Sequence, residues 1–234
     1  MITAIDPDNL KDTTMLNIAV VTGGHNYDVR PFHHLFRSMP GIDAYVQHLD
    51  DYFSSPREVR LNYDAVVLYI MPKGAPTDEA PWYSGKPKSV LEQLGETAQG
   101  IVVLHHSILA YPDWPVFDEM VGMHNRKIRK YKHDEQIAID VANATHPIVQ
   151  GMSPWTTIDE TYTVHEPDPG NDILLTTKHP ESMHSIAWTR SYRNSRVFCF
   201  QCGHDRKAYE DLNFRAVLQN GIHWVSQSSQ SACP

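Results

Sequence analysis

Two histidines, His105 and His106, follow directly on the apolar run Ile101-Val102-Val103-Leu104. Imidazole titrates near neutrality and is the commonest metal ligand, so a histidine held in a fixed place can move protons or bind a cation. A short run of branched apolar residues reads as a strand buried on both faces. In a parallel sheet, the carboxyl ends of such strands face the crevice where ligands bind. His105 is the residue placed at that end. Neighbours in an extended chain point in opposite directions, so the simplest reading of His106 is a hydrogen bond to nearby loop backbone.

The pattern recurs twice. The run Leu16 to Val21 leads into Thr22-Gly23-Gly24-His25-Asn26-Tyr27, and Arg196 to Gln201 leads into Cys202-Gly203-His204-Asp205. Each delivers an imidazole to a strand tip. A fourth segment, Ile158 to Val164, alternates in polarity, which puts Glu160 and Tyr162 on one face and Asp159 and Thr161 on the other. A carboxylate beside a phenol is a serviceable acid/base pair. The expectation is that His105, His204 and Glu160 meet in one pocket, with His25 and Tyr162 at its wall. Such a cluster could share a proton or a metal ion.

These groups need a frame to position them. Phe32, Leu35, Phe36 and Met39 form one apolar stripe at helical spacing, stopped by Pro40-Gly41. A strand around Ala44–Leu49, a buried strand at Ala65–Met71 and a proline- and glycine-rich loop at Pro72–Lys86 follow. Val90, Leu91, Leu94 and Ala98 then share a helix face leading to the histidine-tipped strand. Glu135–Val141 reads as an edge strand, Ile173–Thr177 and Ser185–Arg190 as two more strands, and Tyr209–Val225 as a closing helix. This order argues an α/β fold, a doubly wound and mainly parallel sheet with helices on both faces. It occupies residues 15–226, with a polar arm at 1–14 and a polar tail at 227–234. The basic run Arg126-Lys127-Ile128-Arg129-Lys130 is read as a solvated face; the alternative is a lid whose cations meet an anionic substrate.

Composition excludes several roles. The 234-residue chain is 41% hydrophobic with a net charge of −8, enough for a proper core and unsuited to nucleic acid or an anionic membrane surface. No run is long enough to span a bilayer, and residues 1–11 lack the apolar stretch of a secretion signal, so a cytoplasmic protein is expected. Three cysteines make no disulfide framework. Cys199 and Cys202 spell Cys-x-x-Cys, but in a strand such residues face opposite ways, so both are expected reduced and unlinked.

Taken together, Thr22-Gly23-Gly24-His25, Val103-Leu104-His105, Asp159-Glu160-Thr161-Tyr162, Trp188, Gly203-His204 and Gly221-Ile222-His223-Trp224 resemble the ThuA family of trehalose-utilisation proteins. The resemblance spans nearly the whole chain and implies a class I glutamine amidotransferase-like fold without the cysteine nucleophile. By that comparison His105 stands at the nucleophile elbow and His204 near the triad histidine, so thioester-forming glutaminase chemistry is not expected. Val103 stands where the family commonly has glycine, so a sharply strained elbow is not expected either, although Ser107 keeps one flank small. The resemblance also implies a role in the metabolism of trehalose or keto-disaccharides.

Three readings stay open. In the first, His105, Glu160 and His204 carry protons during acid/base chemistry on a sugar. In the second, some of His25, His105, Glu160 and His204 hold a divalent metal such as zinc. In the third, the chain binds a carbohydrate without turning it over, with Tyr27, Tyr162 and Trp188 as stacking surfaces. The partner expected in each is a small carbohydrate; homo-oligomerisation is compatible with the sequence but not read from it.

Overall fold

Branched apolar runs become central strands because each can bury both of its faces at once. In the computed structural model, which describes residues 15–79 and 81–227, β1 is Leu16–Gly23, β2 Ile42–His48, β3 Ala65–Ile70 and β4 Gly100–Leu104. The expected arm over 1–14 and all but the first residue of the expected tail lie outside the described residues. Downstream come β5 (Lys130–Val141), β6 (Trp155–Thr163), β7 (Asp172–Thr177), β8 (Ser185–Tyr192) and β9 (Ser195–Phe200). They form one sheet in the order β2-β1-β3-β4-β9-β8-β7-β5-β6. Pairing is parallel from β2 across to β9 and antiparallel from β9 to β6.

Alternation within the strands divides the core in two. Ile18, Val20, Val67, Val102 and Phe198 face α1 (Val29–Arg37), α6 (Arg206–Glu210) and α7 (Leu212–Ser226). Ala19, Val21, Val66, Val103 and Cys199 face the other side, with α2 (Leu49–Ser54), α4 (Pro87–Glu92) and α5 (Pro115–Val121); α3 is the short Arg57–Arg60. Phe32, Leu35, Phe36 and Met39 are all buried, so the stripe read from the sequence is the packing face of α1. No helix among the described residues is long and apolar enough to cross a membrane.

Four local expectations change. The helix expected to reach Ala98 ends at Glu92, because Gly95 takes a positive φ of 84° that turns the chain away, and Ala98 is exposed. The strand expected at an edge, β5, lies between β6 and β7, and β6 is the edge. The closing helix is two, broken at Asp211, whose carboxylate caps α7 by accepting the Phe214 N–H at 2.8 Å. The basic run is not a uniform solvated face. Arg126 is 1% exposed, paired with Asp118 at 2.7 Å, and donates to the carbonyls of Ile108, Ala110 and Tyr111. A buried guanidinium holds its charge there because every donor direction meets an oxygen.

Candidate active site

Three strand ends and one edge strand build the site. β4 gives way at once to a 3-10 turn, His105–Leu109, and His105 itself takes φ = +54°. That left-handed conformation is unusual for a residue with a side chain and marks a strained elbow. Val103 therefore does not prevent a sharp turn, contrary to expectation. The small residue that matters is Ser107: its hydroxyl accepts the Ile70 N–H at 2.5 Å and donates to the Ile70 carbonyl at 2.9 Å, pinning the turn to the end of β3. Arg126 grips the same turn further along through the carbonyls named above.

The elbow aims the His105 ring at the tip of β9. Its Nδ1 lies 2.7 Å from the Gln201 carbonyl, and a carbonyl only accepts, so Nδ1 carries a hydrogen. In the neutral ring this leaves the lone pair on Nε2. That nitrogen is 2.8 Å from the Tyr162 hydroxyl, 3.2 Å from Glu160 Oε2 and 3.3 Å from His204 Nδ1. Tyr162 donates to the same Glu160 oxygen at 2.6 Å, and His204 Nδ1 stands 3.2 Å from it. Three side chains, His105, Tyr162 and His204, thus converge on Glu160 Oε2.

An edge strand reaches the centre of the sheet because β6 folds back over the tips of β4 and β9. The Gln201 side chain donates to the Glu160 carbonyl at 3.3 Å. Asp159, facing the opposite way from Glu160 as period two requires, accepts the N–H groups of Gly203 at 2.7 Å and His204 at 3.0 Å. Gly203 sits at φ = +124°, a conformation that favours glycine, with the Phe214 ring 3.3 Å from where a Cβ would stand. So Asp159 sets the loop that carries His204, while Glu160 meets the ring of His204. Tyr69 closes the floor, donating to the Gly203 carbonyl at 2.8 Å and lying 2.9 Å from the Tyr209 hydroxyl.

The electrostatics follow from this crowding. Burial alone would push Glu160 up, but the His105 and His204 rings in their protonated forms, together with the Tyr162 hydroxyl, outweigh it and hold the carboxyl well below its ordinary range. The same bond to Glu160 raises His204 above the ordinary imidazole value, against its partial burial. Burial raises Asp159 in spite of its backbone donors. His106, desolvated and beside two other imidazoles, is driven well below the ordinary value.

Among the residues singled out from sequence, His105, Glu160, His204 and Tyr162 come together. His25 is exposed, its ring centroid 4.6 Å from that of His106 and 6.5 Å from that of His204, so it stands at the outer margin. Tyr27 is half-buried against Phe32 and Tyr69. Trp188 does not join them. It is fully buried on the α5 side of β8, its indole N–H donating to the Val121 carbonyl at 2.8 Å, and no face is left for a sugar ring. His106 is also not the loop-bonding residue expected, since both ring nitrogens lack a hydrogen-bond partner.

Three participants were not read from the sequence in these roles: Asp159 as the loop clamp, Gln201 through its carbonyl, and His133. The last lies in the irregular stretch of β5 opposite Glu160, 3.4 Å from Oε1, with its ring 4.6 Å from that of His204. Only Asp159 had a signal, its phase relative to Glu160. A groove of about 760 Å³ elsewhere, lined by Arg30, His33, His34, Arg37, Arg206 and Arg215 among others, contains none of the cluster. Its ionic side chains are spread along helix faces, whereas the cluster gathers buried groups on one oxygen; convergence of that kind marks a reactive site better than volume does.

The cluster can act in two ways. It can pass a proton between His105 Nε2, Glu160 and His204. It can also hold a cation, because one ligand atom from each of these three lies within 4.8 Å of the others. A histidine that binds metal through Nε2 typically anchors its other nitrogen on a carbonyl, as His105 does. Cys199 and Cys202 take no part: both are buried, unlinked and pushed up by burial.

Comparison with known proteins follows the fold. The family model described as ThuA, trehalose utilisation, matches residues 24–225. A putative ThuA-like protein from Parabacteroides merdae is similar at a TM-score of 0.67 and 19% identity, with 92% of each chain covered. A cytoplasmic protein from Salmonella typhimurium LT2 is similar at 0.65 and 11%, covering 91% of this chain and all of that one (100%). A putative component of GMP synthase from Thermoplasma acidophilum is similar at 0.55 and 16%, covering 89% and 93%. At such identities the likeness shows a shared glutamine amidotransferase-like fold. No curated protein sequence matches the chain.

Proposed function

The chain belongs to the ThuA family, and on that footing we propose that it is an acid/base enzyme of carbohydrate metabolism, acting on trehalose or a keto-disaccharide. The observation that carries this reading is the anchoring of His105 Nδ1 on the Gln201 carbonyl. It leaves Nε2 as the basic atom, held against Glu160, Tyr162 and His204. His105 then takes a proton from the sugar, from a hydroxyl or from a carbon beside a keto group. The ionised Glu160 stabilises the imidazolium that results. His204, raised by Glu160 and part-exposed, is the group that returns a proton to the departing or rearranging oxygen. Tyr162 keeps Glu160 in place. The elbow position is occupied by His105, so no cysteine is available there for thioester chemistry. We place the protein in the cytoplasm, as its Salmonella neighbour is described.

A metal-assisted form is the second reading, favoured by the closeness of His105, Glu160 and His204 ligand atoms. Those residues would hold a divalent cation such as zinc, which would polarise a sugar oxygen. Incubating the purified protein with trehalose and its keto derivative, with and without a chelator, tests both. Product formed equally in both arms supports acid/base chemistry. Product lost with the chelator and restored by metal supports the second reading. Binding without product identifies a carbohydrate-recognition module.

A further inference from the structure

His106 is 1% exposed, yet neither of its ring nitrogens has a hydrogen-bond partner. Buried polar side-chain atoms are rarely left so, because the group gives up water and gains nothing in return. Its surroundings do not supply the missing bond. The Tyr69 ring packs against it at 4.3 Å, but the Tyr69 hydroxyl is engaged with Gly203 and Tyr209, and the Tyr69 main chain stands beside the imidazole without reaching hydrogen-bond geometry. His105, at 5.1 Å between centroids, places Nδ1 on the Gln201 carbonyl and Nε2 beside Tyr162 and Glu160, so it offers His106 no bond. His25, at 4.6 Å, spends Nδ1 on the Asn26 carbonyl. A phenylalanine would fill the same space and stack on Tyr69 with nothing left unpaired.

Metal binding does not account for it. Among the described residues, the group close enough to share an ion is His105, Glu160 and His204, without His106. What remains is a ligand that enters. We propose that His106 binds a hydroxyl of the sugar substrate, and that His25 is the side chain covering it until the sugar arrives. The inference rests on the acid/base reading of the adjoining cluster. An imidazole can donate through one nitrogen and accept through the other, which suits a hydroxyl that does both. Its ring centroid lies 5.1 Å from that of His105, so a sugar hydrogen-bonded to His106 is held next to the proposed base. The covering residue is suited to movement. His25 is exposed, while the loop before it is fixed: Gly24, at φ = +76°, sits with its missing Cβ 2.8 Å from the Met71 carbonyl carbon. Only the side chain has to turn.

The test compares wild type with His106→Phe and His106→Gln, using calorimetry with trehalose and its keto derivative and ¹⁵N-histidine NMR. The expected result is a His106→Phe protein that melts no lower than wild type, since an unpaired polar group has gone, but binds the sugars about tenfold or more weakly. His106→Gln should recover part of the binding, and the ring nitrogens of wild-type His106 should shift when sugar is added. Binding of His106→Phe within about twofold of wild type overturns the inference and leaves the acid/base reading standing. Should His106→Phe fail to fold, unmoved His106 nitrogens in sugar-saturated wild type overturn it equally. A wild type that neither binds nor converts either sugar overturns both.

Discussion

Nδ1 of His105 and the main-chain carbonyl of Gln201 lie 2.7 Å apart, joining the tips of two neighbouring parallel strands. That one bond fixes which nitrogen of His105 carries the hydrogen and which is basic. It also makes the elbow's strain useful, since a relaxed backbone at residue 105 would aim the ring elsewhere.

Arg126 should matter for stability more than its place in a basic run suggests. Its guanidinium satisfies Asp118 and three carbonyls of the segment after His105, all out of water. Arg126→Met leaves these groups unpaired and should cost about 3–5 kcal/mol, measured by urea unfolding. A loss below about 1 kcal/mol would show that the turn does not depend on it.

The pair formed by Glu160 and His204 gives stability a pH signature. Glu160 is lowered on folding, so its contribution is complete above the ordinary carboxylate value of 4.5 and is lost as pH falls through the depressed one. His204 is raised, so its contribution is complete below the ordinary value of 6.5 and is lost as pH rises through the folded one. The difference in melting temperature between wild type and Glu160→Gln should therefore peak between about pH 4.5 and 6.5 and shrink on both sides. A difference independent of pH would count against the ion pair.

The cysteines should be dispensable for chemistry. Cys199 and Cys202 are buried thiols, and neither touches His105, Glu160 or His204 among the bonds described. A Cys199→Ala, Cys202→Ala double variant should keep sugar turnover within a few-fold of wild type per folded molecule. Loss of turnover with the fold intact would require a role for a thiol.

Much of the site could be read before folding because the same local rule placed it. Apolar runs that end in His25, His105 and His204 become strands whose tips share one edge, and period two set Glu160 beside Tyr162. What could not be read depends on the antiparallel half of the sheet. That half returns β6 across the tips of β4 and β9, which brings Asp159 to the 203–204 loop, while the pairing of β5 with β6 sets His133 beside Glu160. Trp188 misled for a related reason: an aromatic on a strand looks the same in sequence whether its face meets solvent or a helix, and here α5 covers it. Arg126 was hidden by its charged neighbours, since composition does not distinguish the one cation turned inward.

The central claim is that His105 Nε2 is the working base. His105→Asn tests it most directly, because asparagine tolerates the left-handed backbone at this position better than most residues and removes only the imidazole. Turnover of keto-trehalose should fall roughly 10²–10⁴-fold, with sugar binding retained and the melting temperature little changed. A folded His105→Asn protein that converts the sugar at the wild-type rate would contradict the account.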